Sequence, residues 1–321
     1  MQTASRIYVA GHSGLAGSAL VRALRAAGFR NLLLRSHAEL ELRDAQAVAS
    51  FFARERPEHV FLAAAKVGGI LANDHYPADF IRDNLAIELN VICEAARAGV
   101  KRLLLLGSSC IYPRDCPQPM QEAHLLTGPL EATNRPYAVA KIAGIELCWS
   151  YNRQHGTRFL AAMPTNLFGP GDQYDLETSH VLPALIRKVH EDKARGERTF
   201  TVWGSGKPRR EFLYSDDMAE ARVFLMRLSE AAFAGLAAPG VVPLINVGAG
   251  KDLSIAELAV LVGEALGYEG GFNYDASKLD GTQRKLLDTS RLAALGWRPR
   301  VGLREGIVLA YREFVSRGMA A

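Results

Sequence analysis

Short apolar runs alternate with helical patterns along the first half of the chain. The runs at 7–10, 31–34, 60–64, 103–106 and 159–163 predict β-strands. Between them, apolar residues recur every three or four positions, which predicts helices over 15–27, 44–52, 78–98 and 137–155, with Asp44 as an N-cap residue. Because the strands are apolar throughout, rather than at alternate positions, both faces of their sheet are predicted to be covered by helices.

The order of these elements is typical of an α/β fold. Alternating strands and helices predict a Rossmann-like, doubly wound parallel sheet, which binds ligands at the carboxyl ends of its strands. After Pro164 the loops lengthen, and glycine, proline and basic residues become more frequent. We therefore predict a dinucleotide-binding domain over 1–164 and a smaller C-terminal α/β domain over 165–321 that mainly binds substrate. Later segments such as 244–247 are expected to be able to return to the main sheet.

The composition of the chain argues against a nucleic acid or a membrane as its partner. The chain has 321 residues, of which 49% are hydrophobic and 22% charged, so it can bury a large core. The formal net charge is +4, but the charges are interspersed, so no nucleic-acid surface is predicted. The longest uncharged stretch, 231–250, contains prolines and several glycines, so no membrane span is predicted.

The cysteine pattern bears on the compartment. Cys93, Cys110, Cys116 and Cys148 form no CxxC pair and are interpreted as reduced thiols. No signal peptide is recognised, because the first residues run directly into an apolar strand. A cytoplasmic protein without a metal site is the expectation.

A glycine-rich loop joins the first strand to the first helix. It is made of Gly11, His12, Ser13, Gly14, Leu15, Ala16 and Gly17. Glycines allow a tight turn and a close backbone approach to a pyrophosphate, and the following helix N-terminus supplies free N–H groups. The spacing is GxxGxxG rather than the GxGxxG fingerprint, so glycines chosen only for packing remain the alternative.

The end of the second strand carries a cation. An acidic residue there is typical of NAD binding, but this chain has Arg35, followed by Ser36 and His37. A cation suits the 2′-phosphate of NADP, and a solvated arginine is the alternative.

A serine, a tyrosine and a lysine indicate a reductase. Tyr137 and Lys141 lie four residues apart at the start of a helix and therefore share one face. The lysine ammonium is expected to lower the pKa of the phenol, which can then give a proton to a carbonyl oxygen as hydride arrives. Ser108 follows the fourth strand and can hold the same oxygen. The YxxxK spacing alone would more often mark an exposed amphipathic helix.

Together these motifs resemble the extended short-chain dehydrogenase/reductase family, and longer segments resemble its GDP-L-fucose synthases, the GDP-4-keto-6-deoxy-D-mannose 3,5-epimerase/4-reductases. The segments are Lys66–Ile70, Gly107–Pro113, Pro136–Gly144, Met163–Leu167, Trp203–Gly206 and Arg210–Leu213. The resemblance covers nearly the whole chain. It implies that one pocket inverts C3 and C5 of a GDP-linked 4-keto sugar and then reduces C4 with NADPH, giving GDP-L-fucose.

The resemblance also implies roles for individual residues. Cys110 would be the base and His180 the acid of the epimerisations, and the thiol would need only a modest downward pKa shift to serve. Ser108 and Tyr137 would hold the C4 oxygen, and Lys141 would tune Tyr137 and bind the cofactor. Cofactor contacts would come from residues 11–17, Arg35, Leu106, Gly107, Ser108, Ser109, Lys141, Pro164, Thr165, Asn166, Leu167 and His180. Substrate contacts would come from Lys188, Trp203, Arg210 and Asp280.

The chain departs from the family pattern at three positions. Ser13 and His37 stand where many relatives have arginine, and both bear on the 2′-phosphate; Lys188 also replaces an arginine. Two other functions stay open, a reductase or epimerase acting on a UDP- or dTDP-sugar and a non-catalytic dinucleotide-binding module. A homodimer through helical residues 78–98 and 142–151 is the expected assembly.

Overall fold

The apolar runs of the sequence form the centre of the fold. The computed structural model describes residues 1–176, 179–238, 240–277 and 280–318. The first half contains β1 (Ile7–Ala10), α1 (Leu15–Ala26), β2 (Leu32–Leu33), α2 (Ala45–Glu55), β3 (His59–Leu62), α3 (Ile70–His75), α4 (Pro77–Arg97), β4 (Arg102–Leu106), α5 (Arg135–His155) and β5 (Phe159–Pro164). The second half contains β6 (Asn166–Phe168), α6 (Val181–Arg195), β7 (Thr199–Trp203), β8 (Arg209–Tyr214), α7 (Ser215–Arg227), α8 (Glu230–Leu236), β9 (Leu244–Val247), β10 (Asp252–Ser254), α9 (Ile255–Leu266), β11 (Gly271–Asp275), β12 (Arg284–Lys285), α10 (Ser290–Ala294) and α11 (Leu303–Ser316).

A parallel sheet organises the molecule. In the described part of the chain its six strands follow the order β2-β1-β3-β4-β5-β9, and each neighbouring pair is parallel. The order reverses at β1, so a crevice opens between the carboxyl ends of β1 and β3, where such folds bind ligands. The predicted doubly wound, Rossmann-like α/β fold is confirmed.

Helices cover both faces of the sheet, as the apolar strands predict. On one face Ile7 and Val9 contact a core that includes Leu20 of α1 and Met218 of α7. On the other face Tyr8 joins a core formed with α2, α4 and α5. Successive strand residues point to opposite faces, so a fully apolar strand fills both cores at once.

The predicted start of the second helix is confirmed. The Asp44 carboxylate accepts hydrogen bonds from the backbone N–H groups of Gln46 and Ala47 at 2.9 and 3.0 Å. These bonds satisfy two donors that the first turn of α2 leaves without helical partners. This helix continues to Glu55, three residues beyond its predicted end, and the other predicted elements of the first half match the structure to within two residues at each end.

The second half of the chain builds a separate layer and also completes the main sheet. Helices α6, α9 and α11 enclose a third core with Phe200 of β7 and Phe212 of β8. Strand β8 pairs with β6, β10 and β12, and β7 pairs with β11. The expected return of 244–247 is confirmed, because β9 pairs with β5. No helix in the described ranges combines the length and the hydropathy needed to cross a membrane.

Candidate functional site

The glycine loop lies at the carboxyl end of β1. Gly11 has φ +80°, and a Cβ there would lie 2.6 Å from the backbone nitrogen of Ala64, in the loop after β3. A Cβ at Gly17 would lie 1.9 Å from the carbonyl oxygen of Gly11. Packing therefore excludes side chains at these two positions, whereas at Gly14 the nearest heavy atom would be 3.8 Å away. Gly14 is the N-cap residue of α1 and has no capping side chain, so the helix N-terminus presents bare backbone donors.

Two polar side chains lie at this loop, His12 within it and Arg35 after β2. Nδ1 of His12 is buried and has no hydrogen-bond partner among the described residues. Arg35 leaves the end of β2, donates a hydrogen bond to Glu55 at 2.8 Å and lies 5.8 Å from the ring centroid of Phe51. Arg35 and His12 are both close enough to Glu39 to lower the pKa of that carboxyl, although hydrogen bonds from Ser36 contribute more. The cradle and the neighbouring Arg35 guanidinium fit the diphosphate and the 2′-phosphate of NADP(H).

The serine loop, residues 107–113, lies at the carboxyl end of β4, on the same edge of the parallel sheet as the glycine loop. Ser108 caps a 3-10 turn, Ser109–Ile111, and its hydroxyl oxygen accepts a hydrogen bond from the Cys110 N–H at 3.4 Å. A Cβ at Gly107 would lie 1.7 Å from Cε of Met163, so glycine lets β4 continue directly into this turn against β5. The turn thereby places one hydroxyl and one thiol side by side.

Tyr137 and Lys141 lie in the first two turns of α5. The Lys141 Nζ is 5.7 Å from the ring centroid of Tyr137, as the four-residue spacing predicts. Lys141 donates hydrogen bonds to the Leu106 carbonyl oxygen at 3.1 Å and to the Glu88 carboxylate at 2.8 Å. The bond to Leu106 joins α5 to the end of β4, and so connects Tyr137 to the serine loop.

The pKa values of the reactive groups follow their surroundings. Burial raises the pKa of Tyr137 to about 12, although the Lys141 ammonium opposes that rise. The Lys141 ammonium therefore acts on the Tyr137 pKa in the direction expected from the sequence, but loss of water contact outweighs this single nearby cation. At neutral pH the phenol carries its proton, as a proton donor requires.

Burial also governs the acidity of the Cys110 thiol, which is only 7% exposed. Burial raises its pKa, while the Ser108 hydroxyl and the ammonium groups of Lys285 and Lys141 act in the opposite direction. The net direction is therefore opposite to the modest downward shift that Cys110 would need to serve as a base. Cys110 nevertheless lies within electrostatic range of both Lys141 and Tyr137, so the thiol, the phenol and the ammonium share one site.

His180 enters from the C-terminal half, as the N-cap residue of α6. Its side chain is accessible to solvent, yet the surrounding protein lowers its pKa by desolvation. The imidazole is neutral at neutral pH, and the positive end of the α6 dipole favours that form.

The segment from Pro164 to Leu167 connects the sheet to the second layer. The Thr165 hydroxyl and the Asn166 amide each donate a hydrogen bond to the backbone oxygen of Glu211, at 3.0 and 2.9 Å. Residues 166–168 form β6 and pair with β8. These contacts fix the expected cofactor segment at the carboxyl end of β5.

The four predicted substrate residues lie in the second half and form two groups. Lys188 on α6 places its Nζ 4.5 Å from the ring centroid of Trp203, at the end of β7. Asp280 accepts hydrogen bonds from the N–H and the hydroxyl of Ser205 at 2.7 and 2.6 Å. Burial lowers the pKa of Arg210, and the Asp280 carboxylate opposes that change, so these two charges are neighbours. One aromatic face and two cations here fit a base and a diphosphate.

Sequence reasoning missed two residues of the site. Lys285, on β12, lies within electrostatic range of Cys110 and Arg210, and pairing of β12 with β8 brings it there from far along the chain. Glu88, on α4, forms the buried ion pair with Lys141. A glutamate within an amphipathic helical pattern gives no signal of such a role, because the same pattern is typical of a solvated face.

Comparisons with known proteins decide the family. The model of the NAD dependent epimerase/dehydratase family matches residues 7–236, which include the glycine loop, the serine loop, Tyr137 and Lys141. This chain belongs to that family. The assignment agrees with the extended reductase fold that the three motifs predict.

Individual relatives narrow the assignment further. The chain is 53% identical to GDP-L-fucose synthase 1 of Arabidopsis thaliana, covering 96% of this chain and 92% of the relative. It is 51% identical to the GDP-L-fucose synthase of Escherichia coli strain K12, covering 97% and 96%. Among solved structures, a GDP-mannoheptose C4 reductase from Campylobacter jejuni with NADP bound is 38% identical, with a TM-score of 0.87 and coverage of 98% and 99%. The resemblance to GDP-L-fucose synthases is confirmed.

Proposed function

We propose that this protein converts GDP-4-keto-6-deoxy-D-mannose (also called GDP-4-dehydro-6-deoxy-D-mannose) to GDP-L-fucose, as a 3,5-epimerase and NADPH-dependent 4-reductase. The observation that carries the proposal is the Cys110 thiol beside Ser108, Tyr137 and Lys141. A simple 4-reductase needs the serine, the tyrosine and the lysine, but it has no use for an additional acid–base group. Identity of 51–53% to GDP-L-fucose synthases over nearly the whole chain supports the same substrate.

Epimerisation requires a proton to leave C3 or C5 and to return on the opposite face. Protons next to a ketone are acidic because the resulting enolate carries its charge on oxygen. In our proposal Cys110 removes the proton, and the ammonium groups of Lys141 and Lys285 favour the thiolate against the effect of burial. Hydrogen bonds from Ser108 and Tyr137 stabilise the enolate oxygen, a role on the order of 3 kcal/mol per donor.

His180 returns the proton on the opposite face in this proposal. A neutral imidazole is a poor acid, but the negative diphosphate of a bound substrate would raise its pKa. Lys188 and Arg210 are proposed to hold that diphosphate, Trp203 to stack on the guanine, and Asp280 to keep the 203–206 loop in place through Ser205. Lysine binds phosphate as a point charge, so Lys188 gives less directional binding than an arginine would.

Reduction of C4 uses the same oxygen contacts. NADPH, when bound, supplies the hydride to C4. The glycine loop, Arg35, residues 106–109 and residues 164–167 are proposed to hold it. Tyr137 is protonated at neutral pH and can give its proton to the C4 oxygen. Lys141, fixed by Leu106 and Glu88, keeps its charge next to the phenol as that proton leaves.

The enzyme assay that tests the proposal follows oxidation of NADPH with GDP-4-keto-6-deoxy-D-mannose. We expect stoichiometric oxidation and GDP-L-fucose as the product identified by NMR. In deuterated water the product should carry deuterium at C3 and C5. The corresponding UDP- and dTDP-4-keto sugars are the controls, and faster turnover of either would overturn the choice of GDP. Reduction without deuterium at C3 and C5 would leave only a 4-reductase.

A homodimer through α4 and α5 is also part of the proposal. These two helices pack against each other, and each carries an exposed apolar side chain, Leu89 (50% exposed) on α4 and Val139 (39% exposed) on α5, that a partner could cover. Light scattering should give about twice the chain mass of 35.0 kDa, and Leu89→Glu should halve it. A monomeric mass for the wild-type protein would contradict the proposal.

Compartment and domain division complete the proposal. All four cysteines are free thiols, which supports a cytoplasmic location that cell fractionation can test. Residues 1–164 are proposed as the NADP-binding domain and residues 165–321 as mainly substrate-binding. The return of β9 to the main sheet supports counting 244–247 with the first domain.

A further inference from the structure

Glu88 and Lys141 form an ion pair that is almost completely sealed from water. Their Oε1 and Nζ atoms are 2.8 Å apart, and the side chains are 1% and 2% exposed. The second carboxylate oxygen of Glu88, Oε2, is buried without a hydrogen-bond partner among the described residues. A carboxylate buried in this way loses its hydration shell, and the contact with Lys141 compensates for only part of that loss.

The neighbouring helix leaves space for this carboxylate. A Cβ at Gly144 would lie 2.4 Å from Glu88 Oε2 and 2.9 Å from the Leu105 side chain. Glycine inside a helix costs about 1 kcal/mol relative to alanine. The glycine in α5 thus allows the carboxylate to sit against the helix that carries Tyr137 and Lys141.

The pair fixes the direction of the Lys141 ammonium. An ammonium has three N–H donors, and Glu88 and the Leu106 carbonyl oxygen account for two of them. The two acceptors come from different elements, α4 and the end of β4. Stability is a weak explanation for the arrangement, because replacing a buried ion pair by apolar groups is often neutral or stabilising.

Charge links Glu88 to the reactive phenol. We propose that Glu88 is a positioning residue that acts through Lys141, and that its negative charge sets the pH range in which the Lys141–Tyr137 pair keeps the proton needed for C4 reduction. The inference rests on the proposed function. Glu88 belongs neither to the serine–tyrosine–lysine motif nor to the acid–base pair proposed for epimerisation, so this role is additional to both.

The surrounding charges agree with this assignment. Burial raises the pKa of Glu88, and Lys141 opposes the rise. Burial also acts against the Lys141 charge, but Glu88 and Tyr137 outweigh it and raise the pKa of Lys141. The other titratable groups near the pair are Cys110, from the turn after β4, and Cys148, on α5; Lys285, on β12, acts on Cys110.

The direction of the expected shift does not depend on which residue titrates. Removing a nearby negative charge makes loss of a proton easier, whether the proton leaves Tyr137 or Lys141. The pair therefore has one apparent pKa that must fall when Glu88 is neutralised. A single nearby charge typically shifts a pKa by about one to three units, so we expect a fall of about one pH unit or more.

The test is the pH profile of turnover with NADPH and GDP-4-keto-6-deoxy-D-mannose. In Glu88→Gln we expect the alkaline limb to move to lower pH by about one unit or more, while Glu88→Asp keeps the charge and should keep the wild-type limb. Asp83→Asn is the matched control, because Asp83 is also a buried carboxylate on α4 but pairs with Lys66, Arg82 and Arg43. Its alkaline limb should not move.

Superimposable profiles for the wild type and a folded Glu88→Gln variant would overturn the inference. An equal shift in Glu88→Asp would also overturn it, since packing rather than charge would then be responsible. If Glu88→Gln does not fold, Gly144→Ala decides, because its Cβ displaces the carboxylate without removing it. We expect a smaller shift in the same direction, and no shift would reject the inference. A wild-type protein that does not oxidise NADPH with this sugar would instead refute the proposed function.

Discussion

The backbone N–H of Cys110 donates a hydrogen bond to the hydroxyl oxygen of Ser108 across one intervening residue. This bond closes the turn at the end of β4 and holds a thiol next to the hydroxyl that we assign to the substrate oxygen. The two steps of the proposed reaction therefore depend on neighbouring atoms of one turn. Substitutions in the turn should separate the steps.

Cys110→Ser should abolish deuterium incorporation at C3 and C5 and leave NADPH binding intact, because a hydroxyl is a far weaker base than a thiolate. Mass spectrometry of the recovered sugar nucleotide measures the exchange, and fluorescence titration measures NADPH affinity. Cys93→Ser is the control, because Cys93 contacts Tyr151 near the C-terminal end of α5, whereas Tyr137 and Lys141 lie near its N-terminal end. Unchanged exchange in Cys110→Ser would remove Cys110 from its role.

Tyr137→Phe should lower the rate of reduction by about 100-fold or more, with little change in the dissociation constant of NADPH. The variant keeps the ring next to Phe80 and loses only the proton donor. Single-turnover measurement of NADPH oxidation isolates the chemical step. Tyr151→Phe changes a phenol on the same helix and should turn over normally; normal turnover in Tyr137→Phe would contradict the shared role in holding C4.

Gly17→Ala should weaken NADPH binding and destabilise the fold by about 1–3 kcal/mol, because its Cβ would collide with the Gly11 carbonyl oxygen. Urea denaturation and NADPH titration measure the two effects. Gly235→Ala is the matched control: Gly235 lies in α8 with open space around it, so alanine should stabilise the protein by about 0.5–1 kcal/mol. Equal effects of the two substitutions would exclude a packing role for the loop.

Arg35→Gln should reduce the preference for NADPH over NADH by about tenfold, because a charge-assisted contact to the 2′-phosphate is lost. The ratio of kcat/KM for the two cofactors is the measurement. Arg54→Gln also removes a cation from Glu55 but leaves Arg35 in place, so its ratio should match the wild type. If Arg35→Gln kept the wild-type preference for NADPH, residues other than Arg35 would have to bind the 2′-phosphate.

Asp172 should make the protein less stable as the pH rises from about 4 to about 7. Burial raises its pKa from 3.8 to about 7, so the folded state holds a proton that the unfolded chain has lost in this range. The free energy of unfolding therefore falls with pH, by up to about 4 kcal/mol, and levels off above pH 7.

Comparison of the wild type with Asp172→Asn isolates this contribution. Urea denaturation at several pH values should show the difference in stability growing in favour of the variant towards pH 7. Parallel stability curves for the two proteins would show that Asp172 titrates normally.

The sequence allowed prediction of everything that depends on local spacing. Tyr137 and Lys141 are four positions apart, and this spacing alone places both on one helix face. The Ser108 turn and the glycine loop were found because each directly follows an apolar strand. Such signals need no knowledge of distant parts of the chain.

What could not be predicted depends on contacts between distant segments. Glu88 meets Lys141 across 53 positions, and Lys285 reaches Cys110 only because β12 pairs with β8. The net rise in the pKa values of Cys110 and Tyr137 could not be predicted, because burial has no marker in the sequence. A motif shows that a lysine is near, but it does not show how far burial removes a side chain from water.

The pairing of β9 with β5 ties the two halves of the molecule together in a particular way. The chain leaves the sheet after Pro164, builds part of the second layer and then returns to supply the strand at the sheet's edge. A fragment ending at Pro164 would therefore expose the backbone donors and acceptors of β5, which invites aggregation. If whole C-terminal halves were exchanged between relatives to change substrate specificity, β9 would be exchanged with them. The exchanged segment should therefore end before Leu244, so that β9 stays paired with its own β5.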